Sequence, residues 1–309
     1  MEKNKEFQIL LSTYNGEKYI REQLDSYVKQ TVYDNIKVLI RDDGSTDGTI
    51  NILREYEQKY GFEIIEGENI GVNNSIFELL KRCDKTCKYF AISDQDDVWL
   101  DNKLAIAQEK LSELNEGNPI LFATCSQIVD SNLRPLGSSI IPYKGISFYN
   151  AMIQNVTPGH TQVLNRELVI EIINKGIDNV PLIDFWFFLV ATGIGKVVFD
   201  NTFTVLHRQH GDNSIGYELR FFRSTIQRLK RIIRNKNNNI TIQIRLLIDR
   251  FGSQLNDDYI KELQRFLQCQ NTLIRRFIYI LTCNVYRQTT YETLVFKILY
   301  LLGKYRVKC

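Results

Sequence analysis

The stretch YFAISDQDDVW, residues 89–99, decides how the chain is interpreted, because it joins an apolar run directly to three carboxylates. Residues 89–93 have the composition of a buried strand, and the residues after Trp99 resemble the start of a helix. Neighbouring carboxylates repel and raise one another's pKa unless a cation neutralises them. Hard oxygen ligands of this kind suit Mg²⁺ or Mn²⁺, which bridge protein carboxylates to substrate phosphates. We therefore expect a metal-binding loop at a strand end, rather than an acidic loop in water.

Strand-like and helix-like segments alternate on both sides of this stretch. The predicted strands are residues 7–13, 36–41, 62–66, 89–93, 120–129, 196–199 and 203–206, and the predicted helices are residues 17–30, 46–60, 72–82, 101–114 and 183–192. Such alternation with short connections indicates βαβ units, a Rossmann-like, mostly parallel sheet and helices on both of its faces. The predicted fold class is therefore α/β. Ligands of these sheets bind outside the carboxyl ends of the strands, where the acidic loop lies.

The size and composition of the chain fit a globular protein. Its 309 residues are 44% hydrophobic and 24% charged, enough for one large domain and an appendage. No run of about eighteen apolar residues is present, so a membrane-spanning helix is not expected. The charged N-terminus leads straight into a strand and predicts no signal peptide. Six cysteines without a C-x-x-C pair favour free thiols in a reducing cytoplasm.

Charge divides the chain into two parts. Residues 1–216 hold 21 basic and 30 acidic side chains, whereas residues 217–309 hold 18 basic and 6 acidic ones. We therefore predict two domains, with the alternating pattern in residues 1–216 and a basic helical region in residues 217–309. An asymmetry of this size indicates that the C-terminal region meets an anionic partner.

Two further polar clusters follow predicted strands at the same edge of the sheet. Ser12, Thr13, Tyr14 and Asn15 follow the first strand, and Asp42-Asp43-Gly44-Ser45 follows the second. A second carboxylate at this place can accept the imide N–H of uracil or thymine; the alternative is a turn that only caps the next helix. Neither G-x-G-x-x-G nor G-x-x-x-x-G-K-[ST] is present, which excludes the dinucleotide and P-loop phosphate cradles.

These motifs carry a family resemblance. Residues 12–16, 41–49 and 93–99 resemble the signature of the family 2 glycosyltransferases, which have the GT-A fold. Residues 158–168, 184–186 and 208–213 resemble the bacterial rhamnosyltransferase branch of that family. The resemblance covers about residues 7–216. It implies an inverting, metal-dependent transfer of L-rhamnose from dTDP-L-rhamnose to a lipid-linked glycan that becomes a cell-wall or capsule polysaccharide.

The same resemblance assigns roles to matching positions. The donor nucleotide would be bound by Ser12, Thr13, Tyr14, Asn15, Asp42, Asp43, Asp94 and Gln95. Ser12 and Asp43 would hold the pyrimidine. Asp96 would be the first ligand of Mn²⁺ or Mg²⁺, with Asp94 and His210 beside it. The diphosphate or the acceptor would contact Arg208, His160, Trp99 and Trp186, although packing is the favoured role of the two tryptophans. Asp97 is expected only to cap the following helix.

Asp184 is the predicted catalytic base. An inverting transfer needs a carboxylate that removes the proton of the acceptor hydroxyl as its oxygen attacks the anomeric carbon. The alternative is an aspartate that caps the helix beginning here, and one residue can fill both roles. The chain departs from its relatives in two places: Ile183 stands where they often have His or Glu, and His160 where they often have Cys.

The basic C-terminal region is predicted to be helical. Residues 219–234 have the pattern of a basic amphipathic helix, and residues 240–251, 257–268, 271–286 and 291–302 have that of further helices. Interfacial helices have this composition, so we expect peripheral attachment to the inner face of a bacterial plasma membrane from the cytoplasm. A solvated basic face and a homodimer through these helices stay open as alternatives. Nucleic acid is not an expected partner, because no binding motif for it is present.

Three other functions compete with rhamnose transfer. A UDP-hexose, such as UDP-glucose or UDP-galactose, presents the same imide edge to Asp43, so this residue cannot separate the two donors. A non-catalytic nucleotide-sugar-binding scaffold is disfavoured, because a scaffold need not keep a carboxylate at each of the predicted sites. A nicotinamide oxidoreductase would share the alternating sheet but requires the glycine fingerprint that the chain lacks.

Overall fold

The computed structural model describes residues 5–114, 117–210 and 238–306. The chain divides into two compact units. The first consists of Met1–Ile141, Thr157–Asp178 and Gly195–Gly216, and the second of Pro142–Val156, Asn179–Ile194 and Tyr217–Cys309. The predicted catalytic domain, residues 1–216, thus contributes to both units, and the predicted boundary after residue 216 stays a prediction.

The first unit contains a nine-stranded sheet with helices. Its strands are β1 (Phe7–Thr13), β2 (Ile36–Asp42), β3 (Glu63–Glu66), β4 (Tyr89–Ser93), β5 (Val98–Trp99), β6 (Ile120–Val129), β7 (Pro135–Ser138), β8 (Val163–Asn165) and β9 (Lys196–Arg208). Its helices are α1 (Ile20–Val28), α2 (Thr49–Tyr60), α3 (Val72–Arg82), α4 (Lys103–Ser112) and, numbered in chain order, α6 (Arg166–Lys175). The strand order is β3-β2-β1-β4-β8-β6-β9-β5, with β7 paired to β6. The predicted α/β fold class is confirmed.

The parallel part of the sheet aligns the polar strand ends that the sequence singled out. Strands β3, β2, β1 and β4 run parallel, and their register places Thr13 opposite Asp42 and Leu11 opposite Ser93. Strand β1 lies at the centre of this part, which explains its apolar sequence. Five of its seven side chains are buried and are either hydrophobic or threonine. The segments that follow β1, β2 and β4 therefore emerge at one edge of the sheet.

The acidic loop lies between two strands of this sheet, β4 before it and β5 after it. Strand β8 is antiparallel to β4 and β6, whereas β9 is parallel to β6 along its length. The short strand β5 is antiparallel to β9, with Val98 opposite Leu206. Because β4 precedes the acidic loop and β5 follows it, residues 94–97 connect the parallel strands to the end of β9.

Strand β9 differs from the sequence prediction. Two short strands were expected at residues 196–199 and 203–206, but they form one strand, Lys196–Arg208. The register along β6 jumps from Thr124–Asp200 to Cys125–Phe203, so residues 201–202 are an irregularity within the strand. A β-bulge accommodates polar residues that resemble a break in the sequence.

The second unit is helical in its described residues. It contains α5 (Phe148–Ala151), α7 (Ile183–Ile194), α8 (Asn238–Phe251), α9 (Asp257–Gln268), α10 (Leu273–Thr282) and α11 (Thr290–Leu301). Helix α7 is apolar on all sides because residues 185–191 are all buried. The helix predicted over residues 271–286 ends earlier, at Thr282. The predicted basic helix at residues 219–234 lies outside the described residues. None of the described helices combines the length and apolarity needed to cross a bilayer.

Candidate active site

Gln95 joins the end of β1 to the acidic loop. Its Oε1 accepts hydrogen bonds from Thr13 Oγ1 (2.6 Å) and from the Tyr14 amide (2.8 Å), and its Nε2 donates to the Tyr14 carbonyl (3.0 Å). The two loops that the sequence assigns to the donor nucleotide are thus fastened to each other by one side chain. Three predicted donor-binding residues are brought together in this way.

A second contact joins the loop after β1 to the loop after β2. The Asn15 amide donates to Ser45 Oγ (2.8 Å), and Asn15 Oδ1 accepts from the Thr46 amide (2.8 Å). Asp42 accepts from the Ser45 amide (2.8 Å) and hydroxyl (2.6 Å), so it holds the turn. Gly44 has φ +80° and faces the Gly67 carbonyl, a conformation and a space that suit glycine. Asp42 therefore holds the turn after β2, and its role toward the donor stays a prediction.

Asp43 lies in a buried network with Arg41. The two side chains form an ion pair, and the carboxylate of Asp43 also accepts the amides of Ile70 and Gly71, each at 2.9 Å. Ser75 Oγ accepts from Arg41 (3.1 Å) and from Ser12 Oγ (2.6 Å). The two predicted pyrimidine ligands, Ser12 and Asp43, therefore belong to one network, and their role toward the base stays a prediction.

Sequence reasoning gave no role to three members of this network. Arg41 and Ser75 are both buried, and the amides of residues 70–71 come from the loop before α3. An arginine inside a strand of an otherwise apolar sheet was the available signal, because a buried guanidinium needs a carboxylate partner.

Asp96 and His210 form a close pair in the first unit. Asp96 Oδ2 lies 2.8 Å from His210 Nε2. Burial, reinforced by the carboxylates of Asp97 and Asp94, raises the pKa of Asp96 to about 6, although His210 opposes this shift. Two predicted metal-binding residues, distant in sequence, are thus brought into contact.

A second group of potential ligands includes Asp94 and Asp97, which flank Asp96 in the acidic loop. One potential ligand atom from each of Asp94, Asp97, His160 and His207 lies within 4.8 Å of the others. Asp97 is fully buried; its Oδ1 accepts from His207 Nδ1 (2.9 Å) and the Arg208 amide (3.1 Å). Within the part of the chain that the structure describes, its Oδ2 has no hydrogen-bond partner, and it lies 3.7 Å from His160 Nδ1.

The expected role of Asp97 is therefore wrong. It does not cap the following helix, since α4 begins at Lys103 and Asn102 precedes it. Asp97 is instead the acceptor that fixes His207 and the end of β9. No role was assigned to His207 from the sequence, although the closely spaced His207 and His210 at the end of a strand were a signal for a site.

The two stacked imidazoles of this cluster carry different charges. The rings of His160 and His207 lie 4.2 Å apart and nearly parallel. Burial, together with His207, lowers the pKa of His160 to about 3, so this ring is neutral. Burial also disfavours charge on His207, but Asp97, Asp94 and Asp96 outweigh it and raise its pKa to about 9. A cationic His207 therefore balances part of the acidic loop.

Two buried basic side chains, Lys103 and Arg208, lie near the acidic loop. Lys103 Nζ is buried, donates to the His160 carbonyl (3.2 Å) and lies 4.7 Å from the ring centre of Trp99. The Arg208 side chain is only 1% exposed and donates to the Asp96 carbonyl (3.0 Å) and to Glu22 Oε2 (2.8 Å). Arg208 thus supports the acidic loop through the Asp96 carbonyl, and its contact with a diphosphate stays a prediction.

The donor atoms present fit a divalent cation. Asp96 and His210 offer a carboxylate oxygen and an imidazole nitrogen, and Asp94 and the unpartnered Oδ2 of Asp97 offer further oxygens. Carboxylate oxygens suit Mg²⁺ and Mn²⁺, and imidazole favours the transition metal of the two. Of the predicted ligands, Asp94 belongs to the four-residue cluster, whereas Asp96 and His210 form a separate pair, and the roles of all three toward a metal stay predictions.

The predicted base and one tryptophan belong to the second unit. Asp184 lies in the first turn of α7, where its Oδ2 accepts from Asn155 Nδ2 (2.9 Å) and its Oδ1 from the Phe185 amide (2.7 Å). A carboxylate is favoured at this end of a helix. Trp186, next to it on α7, is fully buried, and Trp99 in the first unit is 1% exposed. Both tryptophans therefore pack in the cores, which is their favoured role.

Comparison with known proteins identifies the family. The chain matches Glycosyl transferase family 2 over residues 8–173. It is 31% identical over 240 residues to the dTDP-rhamnosyl transferase RfbG of Shigella flexneri, covering 73% of this chain and 80% of that protein. It is also 36% identical to an uncharacterized protein of Mycobacterium tuberculosis over 117 residues, 37% of this chain and 33% of the relative.

Solved structures share the fold. Residues 1–349 of S. aureus TarS, in complex with UDP-GlcNAc, match with a TM-score of 0.58 and 16% identity, covering 97% of this chain and 81% of that one. The mannosyltransferase PcManGT of Pyrobaculum calidifontis, in complex with GDP-Man and Mn²⁺, matches with a TM-score of 0.54 and 16% identity, covering 98% and 86%. With its family match over more than half its length, the chain is a glycosyltransferase that belongs to Glycosyl transferase family 2 and has a GT-A-like fold.

Proposed function

We propose that this glycosyltransferase transfers L-rhamnose from dTDP-L-rhamnose to a lipid-linked glycan intermediate of a cell-surface polysaccharide. The observation that carries the choice of donor is the similarity to a dTDP-rhamnosyl transferase, which extends beyond the part of the chain that matches the family. Residues 1–216 would form the catalytic domain, and residues 217–309 the basic helical region that works at the cytoplasmic membrane face.

The donor nucleotide would bind at the linked loops of the first unit. Ser12 and Asp43 would hold the pyrimidine, with Thr13, Tyr14, Asn15 and Asp42 shaping the pocket around it. Gln95 supports this assignment because it fastens the loop after β1 to the acidic loop. A pocket built from two fastened loops is already organised before the donor arrives, which lowers the cost of ordering on binding.

Asp96, Asp94 and His210 would hold Mn²⁺ or Mg²⁺. Such a cation neutralises the charge that develops on a leaving nucleotide diphosphate. The contact between Asp96 and His210 and the raised pKa of Asp96 support this assignment, since burial and neighbouring carboxylates disfavour the charge of Asp96 there. Arg208 and His160 would support the diphosphate side of the same pocket.

Asp184 would act as the base of an inverting displacement. Its carboxylate takes the proton of the acceptor hydroxyl while the hydroxyl oxygen forms a bond to C1 of the sugar. The bond between C1 and the diphosphate oxygen breaks, and dTDP leaves with the electron pair. The hydrogen bond from Asn155 would fix the orientation of the Asp184 carboxylate.

Nucleotide-dependent thermal stabilisation tests the donor. The full chain should melt at a higher temperature with dTDP and Mn²⁺, and by less with UDP at the same concentration, because bound ligand stabilises the folded state. Stabilisation by UDP with none by dTDP would assign the enzyme to a UDP-hexose instead. Stabilisation by dTDP without transfer from any nucleotide sugar would favour the binding scaffold.

A further inference from the structure

The second unit exposes an unusually apolar surface on helices α10 and α11. Nine of the sixteen large hydrophobic side chains that are exposed among the described residues lie on these two helices and at the residue after them. Their exposed fractions run from 49% to 73%. The nine are Leu273, Ile274, Phe277, Ile278, Leu281, Tyr291, Leu294, Ile298 and Leu302. We call them the α10–α11 apolar face.

Helix α10 turns its apolar stripe away from the core. Tyr279 is its only buried residue, whereas its five exposed apolar residues recur at spacings of one, three and four along residues 273–281. This spacing forms a single stripe on a helix. A helix that only served the fold would direct that stripe inward, so the stripe of α10 is available to a partner.

Helix α11 is apolar on two sides. Phe296, Leu299 and Tyr300 are buried, while Tyr291 and Ile298 are exposed on the opposite side. The two helices pack on each other: the rings of Tyr279 and Tyr300 lie 4.6 Å apart. Their outward rows thus belong to one pair of neighbouring helices, and large exposed apolar surfaces mark interaction sites.

The charged side chains in the segment that carries this face are almost all positive. Residues 271–306 contain one acidic side chain, Glu292, which accepts a hydrogen bond from Thr289 (3.2 Å). Their basic residues are Arg275, Arg276, Arg287, Lys297, Lys304 and Arg306. Arginine and lysine keep their charged ends at the level of lipid headgroups while their stems lie on apolar surface. The face therefore combines exposed apolar side chains with positive charge, the two features that anionic membranes attract.

We propose that the α10–α11 apolar face is the surface by which the protein lies on an anionic lipid membrane. A symmetric pairing of two copies through this face would bring the same cations of each copy together and repel them. Lipid phosphates would neutralise those cations instead. The proposal locates the membrane attachment that the proposed function includes. It rests on the exposure and charge of the second unit and not on the transfer reaction.

Co-sedimentation of the full chain with vesicles tests the proposal. One set of vesicles contains phosphatidylcholine alone, and the other about one third phosphatidylglycerol. The test variant combines Ile274→Ser, Phe277→Ser and Leu281→Ser. The control combines Leu136→Ser and Tyr143→Ser, two exposed apolar residues outside the face. A second variant, Arg275→Glu with Arg306→Glu, removes charge but keeps the apolar residues.

The expected result is preferential binding to the anionic vesicles by the wild type and the control. The triple variant should lose partitioning by at least about tenfold. The charge variant should lose the preference for anionic lipid. Absence of wild-type binding, or unchanged binding of the triple variant, would overturn the proposal. A wild-type dimer that the triple variant dissociates, with vesicle binding unchanged, would show that a second copy occupies the face. Because vesicle binding needs neither nucleotide nor sugar, its outcome is independent of the proposed reaction.

Discussion

Asp96 and His210 are separated by 114 positions in the sequence, yet Asp96 Oδ2 lies 2.8 Å from His210 Nε2. Asp96 follows β4, and His210 follows β9, and the pairing of β5 with β9 brings these two ends together. The contact explains why two residues with no local relationship are both candidates for the same cation. It also provides the most direct point at which to perturb the site.

We expect Asp96→Asn and His210→Ala to abolish most metal-dependent transfer. Each substitution removes one ligand of the proposed cation, so activity at saturating donor should fall by at least about a hundredfold. Initial rates measured over a Mn²⁺ titration check this. Asp258→Asn, which alters a carboxylate that is 78% exposed in the second unit, is the control. Wild-type rates in both variants would remove Asp96 and His210 from the metal site.

Asp184→Asn should keep donor binding and lose transfer. The amide preserves the shape of the side chain but cannot remove a proton, so the rate should fall by about a hundredfold to ten-thousandfold. Calorimetric binding of dTDP with Mn²⁺ should match the wild type. Asp249→Asn, at an exposed position in the same unit, controls for the change of charge. Full activity in Asp184→Asn would place the base elsewhere.

Gln95→Ala should weaken donor binding more than it slows the reaction. The substitution removes three hydrogen bonds between the loop after β1 and the acidic loop, each worth about 1 kcal/mol at most in net terms. The apparent KM for the donor should rise by about fivefold or more, with a smaller change in kcat. Gln264→Ala on the exposed side of α9 is the matched control. An unchanged KM would mean that Gln95 does not organise the pocket.

The stabilising effect of His207 should disappear at alkaline pH. Neighbouring carboxylates raise the pKa of His207 from 6.5 to about 9, even though burial opposes this. A raised pKa in the folded state stabilises the fold fully below about 6.5, and this stabilisation is lost as the pH rises through about 9. Urea unfolding of the wild type and His207→Gln in EDTA should therefore give a larger difference at pH about 6 than at pH about 9.5.

Comparing the two proteins at each pH is necessary in this experiment. Burial lowers the pKa of Lys103 to about 7, so this residue also titrates in the same range. Lys103 is present in both proteins, so its own titration enters both unfolding free energies, and the difference between them isolates the change at His207 together with its coupling to Lys103. An equal difference at both pH values would contradict the charged state of His207.

The backbone elements near the site could be predicted because their apolar patterns are strong. The central strands β1, β2 and β4 agree with the sequence within a residue, since each is buried between layers and reads as a continuous apolar run. The polar ends of these strands then had to meet at one edge of the sheet. That geometry brings Thr13 into contact with Gln95, and both residues are predicted to bind the donor nucleotide.

The contacts within the cluster of Asp94, Asp97, His160 and His207 could not be predicted, because they depend on strand pairing. Asp97 and His207 meet only because β5 pairs with β9 at Val98 and Leu206. Two register shifts, at residues 201–202 and at Thr204, set the register by which β9 reaches that point. Neither the pairing partner nor the bulge follows from hydrophobic periodicity, so Asp97 was wrongly expected to cap a helix.

Transfer from competing donors tests the central claim most directly. The full chain would be incubated with a synthetic lipid-linked acceptor, Mn²⁺ and equal concentrations of dTDP-L-rhamnose, UDP-glucose and UDP-galactose, and the products resolved by mass spectrometry. We expect a product heavier by one rhamnose residue, and we expect this product to be lost when EDTA is added. Addition of a hexose instead, or rhamnose transfer that EDTA leaves unchanged, would contradict it.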